Sequence, residues 1–304
     1  MSITNKLQQG IDFLRVFSRL PKLIETQMLL QGRLLSETVR NKKNIKSLSE
    51  VEFRVFSQFA DDGIIQWLIH HLENPNRTFV EFGVGDYHES NTRFLLMNNN
   101  WSGFVMDGSD ANVSRIIRSD YYWKHALTAR SVFIDLENIN PILETCPFDR
   151  QVGLLHIDLD GIDYWIWNAI NSLNPVILIL EYNSVFGPYR AVTVPYDKSF
   201  LRTKSHFSNL YWGASLSALS VLSQRKGYAF IGCNSAGNNA YFIRRDKLND
   251  QIREISIEEG YVESSYRESR DKWGNRTYIM GNDRLDLIRG LPVYNVRTDE
   301  LETI

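Results

Sequence analysis

Apolar residues recur at helical spacing over positions 1–47. Ile11, Leu14, Phe17 and Leu20 form one stripe, and Ile24, Met28, Leu35 and Val39 resume it beyond Pro21. The spacing predicts helix, interrupted at Pro21, where the ring removes a donor and crowds the preceding turn. This stripe either packs on the chain's own core or pairs with another subunit in a homo-oligomer. From Ser57 to about Arg245 the pattern alternates between short apolar runs and amphipathic ones. "TFVEFG" (78–83), "SGFVMDG" (102–108), "ARSVFID" (129–135), "VGLLHIDLD" (152–160) and "PVILILEYN" (175–183) read as strands. "GIIQWLIHHL" (63–72), "ESNTRFLLMNN" (89–99, with Ser90 or Asn91 available as a cap), "NVSRIIRSDYYW" (112–123), "NPILETC" and "DYWIWNAI" (163–170) read as helices. Nearly continuous apolar strands between helices predict a parallel sheet covered on both faces.

The alternation then stops. Residues 184–213 form a long polar and aromatic segment, of the kind that builds lids and binding loops. A helix over 214–227 leads into a hairpin, "YAFIGCN" (228–234) and "NAYFIRR" (239–245). A plain nucleotide-binding fold would continue strand–helix–strand instead. Residues 246–304 are charged, carry scattered aromatics, and read as an appendage that packs on the core or closes over a site. The expected organisation is a helical segment at 1–50, an α/β domain at 51–245 and a C-terminal extension at 246–304.

Composition narrows the function classes. Of 304 residues, 34 are Lys or Arg and 36 are Asp or Glu, for a net charge of -2. Nothing favours nucleic acid as a partner. No apolar run reaches the roughly 20 residues that span a bilayer, and residues 1–6 lack a secretory apolar core. Two cysteines in unrelated segments, Cys146 and Cys233, form neither a disulfide framework nor a metal motif, so the expected compartment is the cytoplasm.

The candidate chemistry begins at "VEFGVGD". Either the two glycines make a plain strand-to-helix turn, or they thin the backbone so that a cofactor can lie against it. Glu81, Gly83 and Gly85 give acid-x-Gly-x-Gly. The dinucleotide fingerprint would place a third glycine where His88 stands. A carboxylate beside that loop repels a pyrophosphate and suits a cationic cofactor without phosphates. Asp107, at the next strand end, has the chemistry to accept both hydroxyls of a ribose, although a turn or cap role is open to it too. Asp158, Asp160, Glu181 and Asn183 end two further strands. Their hard oxygens suit Mg²⁺, and helix capping is the alternative. In the long segment, His206 is the candidate general base and Arg190 a handle for substrate.

These residues together resemble class I S-adenosylmethionine-dependent methyltransferases over 55–245. "VEFGVGD" resembles their first motif, which often has a third glycine where Tyr87 stands. "VMDGS" resembles the ribose-binding turn, "FIDLEN" the turn near the adenine, and "SQFADDG" (57–63) together with "LLHIDLDGIDYWIW" and "PVILILEYN" the FkbM-type and macrolide or sugar O-methyltransferases. The resemblance implies a Rossmann-like seven-stranded sheet with a terminal antiparallel hairpin. It implies cofactor contacts at Glu81, Gly83, Gly85, Ser90, Asn91, Asp107, Ser109 and Asp135. A metal would sit at Asp158, Asp160, Glu181 and Asn183, and Asp158, His206 and Arg190 would serve catalysis. The implied reaction is methylation of a saccharide or other small-molecule hydroxyl. A non-catalytic binding module and an NAD-dependent oxidoreductase are the rival readings.

Overall fold

The computed structural model describes residues 3–73 and 76–304, with side chains from Phe17 onward. Five parallel strands carry the fold: β1 (Thr78–Phe82), β2 (Ser102–Asp107), β3 (Leu127–Ser131), β4 (Leu154–Ile157) and β5 (Ile177–Glu181). A short β6 (Val192–Thr193) stands apart. β7 (Tyr228–Cys233) and β8 (Asn239–Arg244) complete the main sheet as an antiparallel hairpin. The order is β3-β2-β1-β4-β5-β8-β7. This is the Rossmann-like sheet with an antiparallel edge that the sequence implied. The chain winds outward in both directions from the β1–β4 pair, and open α/β sheets bind ligands at such a reversal, beyond the carboxyl ends of the strands.

The helices are α1 (Ile3–Arg40), α2 (Asp61–His71), α3 (Arg93–Asn99), α4 (Asp110–Ile117), α5 (Ile139–Glu144), α6 (Asp163–Ala169), α7 (Arg202–Ser205) and α8 (Leu216–Arg225). Successive strand residues point to opposite faces and feed two cores. Val80, Phe82, Leu155, Ile157, Leu178 and Leu180 meet α5, α6 and α8 on one face. Phe79, Leu154, Ile177 and Ile179 meet α2 and α3 on the other. Trp67 and Trp167 are fully enclosed in these layers, and truncating either to Ala is worth about 3–5 kcal/mol.

Three boundaries differ from expectation. α1 runs through Pro21 without a break. The proline's fixed φ lies within the helical range, and its exposed position makes the lost hydrogen bond cheap. α3 starts at Arg93, not Glu89, and Thr92 takes the N-cap position without a side-chain cap bond. The candidate caps Ser90 and Asn91 are engaged by Glu81 instead. β3 ends at Ser131, so "FID" belongs to the turn that follows. Residues 246–304 are also more than an appendage. They supply β9 (Pro292–Asn295) and β10 (Glu300–Thr303), which join β6 in a second, three-stranded antiparallel sheet. Both cysteines are free thiols. Among the described residues no helix is long and apolar enough to cross a membrane.

Candidate active site

The penultimate residue of β1 is Glu81, buried between Val105 of β2 and His156 of β4. Its Oε1 accepts from the Asn91 amide (3.1 Å) and meets His156 Nδ1 at 2.9 Å. Its Oε2 accepts from Ser90 Oγ at 2.6 Å and from the Thr92 hydroxyl. Burial opposes ionisation of Glu81. The His156 ring and the two hydroxyls outweigh it and hold the carboxyl below the usual carboxylate range. His156, in turn, is penalised by burial but raised above its ordinary value by Glu81. Glu81 therefore ties the 83–92 loop to the sheet, with Ser90 and Asn91 as its partners.

The loop turns at two glycines with positive φ, +70° at Gly83 and +55° at Gly85. They are glycine for different reasons. A Cβ on Gly83 would lie 1.7 Å from the carbonyl oxygen of Asp158, whereas one on Gly85 would meet nothing within 4 Å. Close approach of β1 and β4 dictates the first, and open space faces the second. Tyr87, where the family motif often has its third glycine, adopts φ +63° with a buried ring and a 2.8 Å bond to Thr92. Asp107 ends β2 and braces the same loop. Its Oδ2 accepts from the Gly85 amide at 2.9 Å, and its Oδ1 from Ser109 N at 2.8 Å and Asn112 Nδ2 at 3.0 Å. Ser109 caps α4.

These elements enclose a cavity of about 410 Å³ at the β1–β4 edge. Of the sequence candidates, Glu81, Gly83, Gly85, Ser90, Asn91 and Asp158 line it. Its wall also includes Gln58, Phe59, Asp86, Asn238 and Asn239, which the sequence reading did not single out. Gln58 and Phe59 lie in "SQFADDG", and a fold explains why they arrive here. Asp62 accepts from the amides of Val55, Phe56 and Ser57 at 2.7–2.8 Å, which curls this segment over the sheet edge. Asn238 and Asn239 come from the β7–β8 turn, whose contribution depends on sheet order and leaves no local signal. The Oδ1 of Asn239 is buried without a partner.

Asp158, Asp160 and Glu181 follow on the same edge, with carboxylate oxygens all within 4.8 Å of one another. Burial and the adjacent Asp160 push the Asp158 carboxyl up to about 7. Burial, then Asp158, raises Glu181 well above the usual range. Glu181 Oε2 is enclosed with no hydrogen-bond partner. Asp160 is exposed and paired with Arg202 at 3.0 Å. Asn183 is not brought into the group. Its amide donates to the carbonyls of Leu210 and Trp212 and its Oδ1 accepts from Val185 N.

The other candidates lie outside this cavity. Asp135 accepts from the amides of Glu137 and Asn138 and pairs with Lys198 at 3.0 Å, anchoring the long segment to the turn after β3. Arg190 bonds Glu302 and the Thr303 carbonyl in the C-terminal hairpin. His206 bonds Ser208 Oγ at 2.7 Å and stacks beside Phe207, and burial lowers its pKa. Several rings of 184–213 are packing groups. Trp165 meets Tyr196 and Tyr294, and Phe186 and Tyr211 share a small core with Ile288 and Val293.

No family model matches this sequence, and no curated protein matches it. Solved structures of similar chain course include TrmK of M. capricolum in complex with S-adenosyl-homocysteine, 11% identical, covering 62% of this chain and 70% of that one, with a TM-score of 0.35. Another is an O-methyltransferase family protein from Burkholderia thailandensis, 12% identical, covering 82% of this chain and 61% of that one, with a TM-score of 0.35. A third is geranyl diphosphate C-methyltransferase from Streptomyces coelicolor A3(2), 15% identical, covering 56% and 61%, with a TM-score of 0.34. At such scores, any reading of function rests on the residues of the site.

Proposed function

We propose that the cavity at the β1–β4 edge binds S-adenosylmethionine and that the protein is a methyltransferase acting on a small-molecule hydroxyl, with a saccharide as the acceptor class. One observation carries the reading. The open side of the glycine loop faces a cavity lined by Glu81, Asp86, Glu89 and Asp158, together with the unpartnered Oδ1 of Asn239. Such a wall repels phosphates and attracts a ligand carrying a sulfonium and an ammonium group. That also argues against NAD, whose pyrophosphate would sit beside Glu81. Asp107, held beside this loop by the Gly85 and Ser109 amides, is the acid we assign to the ribose hydroxyls.

The bound cofactor supplies a methyl group on a sulfonium, with a neutral thioether as leaving group. The chain has then to align the acceptor oxygen and take its proton. Asp158 is suited to the second task, because it lines the cavity and its pKa lies near 7. His206 and Arg190, held elsewhere, are proposed to act only through the segment they stabilise. The acids also fit a divalent cation. The enclosed, unpartnered oxygen of Glu181 beside Asp158 and Asp160 is a hard-oxygen donor set. Mg²⁺ would be held by these three without Asn183 and would supply Lewis acidity toward the acceptor oxygen, with Asp158 then a ligand, so that its role as base belongs to a metal-free site. The saccharide assignment rests on the sequence resemblance.

Calorimetric titration with S-adenosylmethionine, S-adenosylhomocysteine and NAD tests the cofactor. The first two are expected to bind, and ligand at 100 times its Kd to stabilise the fold by about 2.7 kcal/mol. Binding of NAD alone would refute the reading.

A further inference from the structure

The long N-terminal helix carries two faces, and the fold uses one. Glu25 pairs with the buried Arg93 at 2.8 Å, Lys22 pairs with Asp120, Gly32 sits against Val55 and Phe94, and Val39 is buried. These positions fall on one side of α1. The opposite side is apolar and largely exposed. Leu20, Leu23, Leu30 and Leu34 are 44–72% exposed. With Gln27 they follow a 3-4-3-4 spacing, the seam of a helix that packs on another helix. Ile24, Met28 and Leu35, 37–51% exposed, widen the same stripe. Seven side chains about half exposed leave on the order of 700 Å² of apolar surface, close to the roughly 800 Å² each partner contributes to a standard stable interface. Monomers rarely expose so large a continuous patch.

We infer that this stripe pairs with the same stripe of a second copy, the two α1 helices running antiparallel about a two-fold axis near Gln27. The residues themselves select this occupant and direction. With the axis at Gln27, Leu20 faces Leu34 of the second copy, Leu23 faces Leu30, and the polar Gln27 side chains meet each other and fix the register. Arg19 and Glu37 flank the stripe on the same edge. An antiparallel pair therefore brings Arg19 of each copy toward Glu37 of the other, twice by symmetry. A parallel pair would bring that edge against apolar residues. One edge of the stripe (Leu20, Ile24, Met28) lines a groove that reaches His88 and Glu89 at the rim of the candidate active site, so the pairing is tested by mass and crosslinking, which do not depend on the proposed reaction.

Sedimentation of the full chain tests it. The wild type is expected at twice the monomer mass. Leu23→Glu with Leu30→Glu should shift it to monomer, raising the dissociation constant about a hundredfold, while circular dichroism and thermal unfolding stay those of a folded protein. Glu37→Arg should weaken the dimer, and adding Arg19→Glu should restore it. Mild oxidation of Leu20→Cys mixed with Leu34→Cys should give a crosslinked dimer above the wild-type background, with neither variant crosslinking alone. A wild type that is monomeric at high micromolar concentration overturns the proposal, whether or not it binds anionic vesicles. So does a dimer that survives both glutamates. Crosslinking of Leu20→Cys by itself overturns the antiparallel arrangement.

Discussion

Gly83 and Gly85 look alike in the sequence and differ in what surrounds them. Both were legible as a turn after a strand, because glycine at the end of an apolar strand is a local signal. Which of them serves the chain and which faces open space was not, since that depends on β4, some 75 residues away. The distinction predicts different failures. Gly83→Ala drives a methyl group into the Asp158 carbonyl and should cost more than about 3 kcal/mol in a denaturant melt. Gly85→Ala meets no atom and should cost only about 1 kcal/mol for its positive φ, yet weaken cofactor binding by calorimetry. Equal stability losses would contradict this assignment. Asp61 shows the opposite case, a residue with chemistry that the sequence reading passed over. Buried against Asn234, Asn239 and Tyr241, its carboxyl is pushed up to about 6, chiefly by burial, although hydrogen bonds from Tyr241 and Asn239 oppose the rise. An acid raised on folding binds its proton more tightly when folded. Its contribution is most favourable below about pH 4 and is lost as pH climbs to about 6, worth roughly 3 kcal/mol for two units. Melting temperatures of wild type and Asp61→Asn, followed from pH 4 to 7, should diverge in slope over that window. Parallel curves would mean that Asp61 stays ionised throughout.

The strands were legible because each is a short apolar run with a turn signal at its end, and six of the seven strands of the main sheet lie within the runs the pattern marked, β3 being shifted toward the N-terminal side. Their carboxyl ends carried most of the recognisable site, since a strand end is fixed locally in sequence and collected by the sheet in space. Glu81, Asp107, Asp158 and Glu181 stand at or just beyond four such ends. Asn183, two residues past β5, was grouped with them by proximity in sequence. The backbone has already turned there, and its amide closes the 210–212 segment instead. A metal on this edge therefore depends on three carboxylates. Excess chelator should abolish turnover while leaving S-adenosylhomocysteine binding within about twofold, and Mg²⁺ should restore activity. Glu181→Gln keeps the shape of the side chain and removes its charge, so it should leave an enzyme that added Mg²⁺ no longer stimulates. Undiminished turnover in chelator would return these acids to structural roles.

The C-terminal 59 residues were the least legible part of the chain, and the reason is topological. Their strands are short, and β9 finds one of its partners in β6, a two-residue strand about a hundred positions earlier. Neither has a pattern strong enough to announce itself. What the pairing does for the molecule is specific. β9 and β10 hold residues 184–213 in place through Arg190 to Glu302, the Tyr211 hydroxyl to the Pro292 carbonyl, and the small core of Val192, Val194, Tyr211 and Val293. That segment leaves the sheet just after Glu181, so the C-terminal chain braces the wall on the acceptor side of the proposed site. Contact across the three parts is extensive enough that 246–304 is expected to be required for the long segment and dispensable for the sheet. Ending the chain after Gly281 removes both strands and the Ile288 contact. Trypsin should then cut at Arg190, Lys198, Arg202 or Lys204 faster than it cuts the full chain, while the circular dichroism of the sheet and helices is largely kept. Turnover should fall further than cofactor affinity, because the candidate cofactor cavity is lined from the β1, β4 and β8 ends and the loops beside them, and residues 184–213 line none of it. If the shortened protein instead resists trypsin at those positions and keeps its turnover, 184–213 is self-supporting, and the second sheet has some other use.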